Sequence, residues 1–124
     1  MSDKRIFMDD DGINEDYCIS IYDGSYDFYS LVLKTFLEES KRNLDTLRES
    51  FEADDAEAYR IVVHSLKSSA GSVGSESYSQ LASRSNELIK AGRWDEAKKL
   101  NHEIIDELEA LRLLIEIRLS AWEE

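Results

Sequence analysis

A chain of 124 residues, 42% hydrophobic and 10% aromatic with no proline, has the size and make-up of one helical domain with its own core. Its net charge of −12 sets it against phosphate backbones and anionic lipid, so neither nucleic acid nor a membrane is an expected partner. Cys18 stands alone, which excludes an internal disulfide framework and a cysteine zinc cluster and points to a reducing, cytoplasmic setting.

No segment approaches the ~20 apolar residues of a membrane span, and the N-terminus lacks the apolar run of a secretory signal. Residues 1–12 end in Asp9, Asp10, Asp11 and Gly12 and read as a mobile acidic arm. The folded domain is expected over residues 13–124. A short helix runs from Asn14 through Tyr17, Ile19 and Ile21 to a turn at Tyr22, Asp23 and Gly24. Ser25 or Asp27 then caps a long helix whose apolar stripe is read as Phe28, Leu31, Val32, Thr35, Phe36, Leu37, Leu44, Leu47 and Phe51.

Asp54 and Asp55 interrupt that pattern and offer caps for the next helix, from Ala56 to about Ala70, with Gly71 and Gly74 marking its end. Another helix from about Ser75 to Lys90 buries Tyr78, Leu81, Ala82, Ser85, Leu88 and Ile89. The last begins near Trp94 or Asp95 and reaches Trp122, with one seam through Ala97, Leu100, Ile104, Leu108, Leu111, Ile115, Leu119 and Trp122. Four amphipathic helices on short polar turns are best buried as an all-α, antiparallel four-helix bundle with a short extra N-terminal helix.

The chemistry concentrates in Val62 to Gly74, V-V-H-S-L-K-S-S-A-G-S-V-G. At about 100° per residue, Glu57, Arg60, His64, Lys67, Ser68 and Gly71 fall on one side of a helix, and Val62, Leu66 and Val73 on the other. His64 therefore points away from the core. Lys67 one turn on could balance the charge of a phosphoryl group on the ring, and the small Ser68 and Gly71 let a partner approach closely.

Competing chemistries lack their signatures. Bundle di-iron sites need Glu-x-x-His, but Ile61 and Lys99 stand three residues before His64 and His102, so no metal is expected. No Gly-x-Ser-x-Gly elbow and no phosphate-cradling glycine loop is present. His102 has no small neighbours and reads as a surface histidine.

At His64, Leu66, Lys67 and Gly74 the chain resembles the histidine-containing phosphotransfer (HPt) domain family. That family's pattern is His, any residue, an aliphatic, Lys, Gly, then small residues and a second Gly ten positions after the His. Ser68 departs from it by replacing the first glycine. With the helix order, the resemblance extends over about residues 12 to 120.

It implies a phosphoryl carrier of a two-component phosphorelay, a co-substrate more than an autonomous enzyme. His64 would accept a phosphoryl group from a receiver-domain phosphoaspartate and pass it to another receiver, with Lys67 balancing charge and Arg60, Ser68 and Gly71 at the binding surface. Asn86 falls where some members place a polar residue that orients the imidazole. The implied partners are response-regulator receiver domains and a hybrid histidine kinase. The domain would need no cofactor of its own, Mg²⁺ being carried by the receiver. A monomer is expected, and Met1 with its short arm favours a free-standing chain. The alternative is an HPt-like adaptor that docks a receiver or kinase domain without being phosphorylated.

Overall fold

The computed structural model describes residues 4–124. Six helices follow in order: α1 Glu15–Ile21, α2 Tyr26–Glu52, α3 Ala56–Val73, α4 Glu76–Lys90, α5 Trp94–Lys98 and α6 Asn101–Glu123. Among the described residues there is no strand. The long helices α2, α3, α4 and α6 form the expected antiparallel four-helix bundle. α2 packs against both α3 and α6, α4 covers the far side of α3, and α1 lies across α2 and α3.

Helix starts follow local chemistry. Asn14, Ser25 and Asp55 accept hydrogen bonds from the backbone N–H of Tyr17, Phe28 and Ala58, each satisfying a donor the first turn leaves free. The end of α3 falls at Gly74 alone: the helix passes through Gly71, and Gly74 adopts φ +95° while the Ser75 N–H returns to the Ala70 carbonyl. A Cβ at Gly74 would stand 3.0 to 3.1 Å from Ile13 Cγ2, the Asn14 carbonyl and Cys18 Sγ. The glycine thus answers both a backbone angle and a close crossing by the chain entering α1.

Every residue of the seam expected from Ala97 to Trp122 is buried. Its helix is not continuous, however, and breaks at Lys99 and Leu100. α5 is tethered toward the α2–α3 turn by Trp94 Nε1 and Lys98 Nζ, both donating to Asp54 Oδ1 (2.7 and 3.1 Å). The first turn of α6 is fixed separately, by the Tyr59 hydroxyl donating to Asn101 Oδ1.

The stripe expected on α2 is corrected in its N-terminal half. Phe28 and Leu31 are 50% and 58% exposed and Thr35 is exposed as well, while Tyr29 and Leu33 join the expected Phe36 in the core. Apolar residues surround this part of the helix, so spacing alone allows two registers. Burying Tyr29 brings its hydroxyl to the Val73 carbonyl (2.8 Å), which selects the observed one.

The expectation of a mobile arm is also corrected over residues 4–12; residues 1–3 lie outside the described part. Ile6 and Phe7 are buried, and their N–H groups donate to the two carboxylate oxygens of buried Glu15. Trp122 Nε1 donates to the Lys4 carbonyl, and Arg118 grips Asp11 through two hydrogen bonds (2.8 and 3.1 Å). The acidic composition concealed the buried pair Ile6 and Phe7 and the ion pairs of Arg5 with Glu15 and Asp16 and of Asp11 with Arg118, which together pin the lead across the bundle.

The hydrogen bond from Arg118 holds the Asp11 carboxyl below its ordinary range. A lowered folded-state pKa adds stability at neutral pH that is lost as pH falls through the carboxylate range. Arg118→Met should therefore unfold at lower urea concentration than the wild type at pH 7. The difference should close on acidification, and a gap that persisted at low pH would assign it to packing instead.

Candidate functional site

The stretch that carries His64 is held rigidly at its C-terminal end. Helix α3 ends without a basic residue, and its last carbonyls are taken by side chains from the C-cap of α1 and from α2. The Tyr22 hydroxyl donates to the Ser72 carbonyl (2.6 Å), and Tyr29 to that of Val73. The Asn14 N–H donates to the Gly74 carbonyl (2.9 Å). Burial pushes the Tyr22 and Tyr29 phenols up, so both remain protonated donors. On the other flank, the Ser79 hydroxyl donates to the Lys67 carbonyl (2.8 Å) and fixes α4 against α3.

On this platform His64, Lys67 and Ser68 are all exposed, on the face opposite buried Val62, Val63, Leu66, Ala70 and Val73. Among the described residues neither the imidazole nor the Lys67 ammonium has a hydrogen-bond or ion-pair partner. Arg60 shares the face but is committed elsewhere: Nε and an Nη donate to the two Glu57 oxygens (2.9 and 2.8 Å). That bidentate pair lowers the Glu57 pKa and turns the guanidinium one turn away from His64.

Asn86 is placed differently from the expectation attached to it. It is buried in α4 at 3% exposure, its Oδ1 has no partner, and it makes no hydrogen bond to the imidazole. The register set by Ser79 and Lys67 carries Asn86 about one helical turn past the level of His64.

Around the polar face the surface is apolar, in a pattern the helix periods obscured. A groove of about 580 Å³ runs between Tyr17 and Ile21 of α1, Ser68, Gly71 and Ser72 of α3, and the polar Glu76, Ser79 and Gln80 of α4. A smaller hollow of about 210 Å³ lies between Phe28, Leu31 and Val32 of α2 and Ser69 and Ser72 of α3. Ile61, three residues before His64, is exposed as well. Large apolar side chains left in solvent around a depressed strip of small residues form a surface suited to another protein. The available signal was the excess of apolar residues off the main seam of α1 and α2.

Among the described residues no three His, Cys, Asp or Glu side chains are grouped to hold a metal ion, and no helix is long and apolar enough to cross a membrane. Among the described residues His64 and His102 are both exposed and unpaired, but only His64 stands beside a strip of small residues bordering a groove, the layout of a group-carrier domain more than of a pocket enzyme.

The Hpt domain family model matches residues 31–113, and the chain belongs to that family of histidine-containing phosphotransfer domains. Its backbone is similar to the crystal structure of histidine-containing phosphotransfer protein B (HptB) from Pseudomonas aeruginosa PAO1, with a TM-score of 0.78. The two chains are 22% identical, and the match covers 90% of this chain and 97% of that one. No curated protein sequence gives a significant match.

Proposed function

We propose that His64 is the phosphoacceptor of this domain, taking a phosphoryl group from the phosphoaspartate of one receiver domain and passing it to the aspartate of another. The observation that carries this reading is the exposed, unpaired imidazole on the α3 face whose following turns, Ser68 to Ser72, border two hollows edged by exposed apolar side chains. A neutral imidazole nitrogen is a good nucleophile near neutral pH. Its lone pair attacks phosphorus, the P–N bond forms, and the P–O bond to the aspartyl carboxyl breaks with its electron pair leaving on the carboxylate. The other ring nitrogen keeps its hydrogen, so the ring becomes cationic beside a dianionic phosphoryl group. Transfer onward reverses these steps at the second receiver.

Phosphoryl transfer asks chiefly for in-line positioning and charge neutralisation. The fixed α3 platform supports the first, and the hollows on either side, edged by Tyr17, Ile21, Phe28 and Leu31, would seat the receiver. Lys67 supplies a positive charge in a molecule of net charge −12. Mg²⁺ would come with the receiver.

The test is to present the protein to a panel of stand-alone receiver domains phosphorylated with radiolabelled acetyl phosphate. Acid-labile, alkali-stable label should appear on this chain. Lys67→Ala should keep the fold and accept label about tenfold more slowly, the effect of removing one favourable charge from the transferring group. An unchanged rate would remove Lys67 from the mechanism. Receiver binding with no label on any panel member would favour the adaptor.

A further inference from the structure

The serines beside His64 are not equivalent. Ser69 and Ser72 donate to backbone carbonyls within α3, and Ser79 donates across to Lys67. The Ser68 hydroxyl is exposed and has no hydrogen-bond partner among the described residues. Ser68 follows His64 by four positions, about 40° around the helix and about 6 Å along it. Residues four apart are neighbours on a helix face, with about 5–6 Å between their Cβ atoms, so this hydroxyl stands beside the His64 turn. It also lines the groove bordered by Tyr17 and Ile21.

A phosphoryl group on His64 brings two negative charges and three acceptor oxygens to this face. Of the two basic residues of α3, Arg60 is held by Glu57 and only Lys67 is uncommitted. Ser65 and Ser68 are the exposed, unpartnered hydroxyls of α3 next to the ring, and Ser65 lies about 100° around the helix from His64 against about 40° for Ser68, which leaves Ser68 as the hydroxyl on the imidazole's face.

Resting on the reading of His64 as phosphoacceptor, we propose that the Ser68 hydroxyl donates a hydrogen bond to the phosphoryl group on His64, shifting the transfer equilibrium toward the phosphorylated domain. The same hydroxymethyl narrows the receiver's approach and slows exchange in both directions. Ser68 thus sets how strongly this carrier retains its phosphoryl group, separately from whether it can accept one.

The experiment uses the whole chain and the receiver that labels it fastest. The equilibrium distribution of label and the exchange rate are measured for wild type, Ser68→Ala and Ser68→Thr. Ser68→Ala should move the equilibrium about fivefold toward the receiver, as expected for one exposed hydrogen bond to a charged group. Ser68→Thr keeps the hydroxyl and adds a methyl, so it should hold the wild-type equilibrium while exchanging more slowly. An Ala variant within about twofold of the wild-type equilibrium would overturn the inference and leave His64 in its role. So would a Thr variant that shifts as far as Ala. Absence of label on the wild-type chain would overturn the reading of His64 itself, and the inference with it.

Discussion

His64→Gln should abolish acceptance of acid-labile label from every receiver that labels the wild-type protein, while leaving the fold intact. The side chain is exposed and makes no hydrogen bond or ion pair among the described residues, so its loss removes no native contact of that kind. Glutamine suits a helix interior at least as well as histidine, and stability should stay within about 0.5 kcal/mol of the wild type. The loss of transfer is then chemical, since glutamine has no nucleophilic nitrogen of comparable reactivity. His102→Gln is the matched control and should accept label normally. Acid-labile label persisting on His64→Gln would place the acceptor elsewhere. Equal receiver affinity for both chains, with neither labelled, would identify an adaptor.

Gly74→Val should produce the largest loss of stability, about 4 kcal/mol, or roughly 15 °C in melting temperature. Two effects combine. A β-branched residue is strained at φ +95°, and its Cβ would stand about 3 Å from Ile13, the Asn14 carbonyl and Cys18 at once. One of those neighbours is backbone and cannot swing aside. Gly74→Ala meets the same angle and the same first atom but carries no branches, so it should lose about half as much. Thermal unfolding followed by circular dichroism separates the three proteins. A Val variant melting with the wild type would mean that this turn or the crossing over it is not as described.

How far the fold and the site could be read beforehand varied with the residues concerned. The α6 seam was legible because polar residues leave only one continuous apolar path at its spacing. The outward direction of His64 followed from the same geometry, with Val62, Leu66 and Val73 fixing the opposite side. The α2 register was not, since Phe28, Tyr29, Leu31, Val32 and Leu33 fill all directions and a cross-helix hydroxyl decides among them. The N-terminal lead was hidden because the partners of Ile6, Asp11 and Lys4 lie at Glu15, Arg118 and Trp122, and local composition is blind to such pairings. Of the polar residues assigned to the site, His64, Lys67 and Ser68 share an exposed face. Arg60 was already occupied by a carboxylate one turn away, and Asn86 lay in the core.

The tyrosine hydroxyls that close the end of α3 have a consequence for encounter. With the platform fixed before a partner arrives, little conformational entropy is lost when two surfaces meet, and a modest apolar contact can orient the imidazole without an induced rearrangement. On the proposed reading, such a carrier would bind weakly, react and leave. If His64 is the phosphoacceptor, discrimination among partners would fall to the apolar margin, where Tyr17, Ile21, Phe28 and Leu31 could vary without touching the ring.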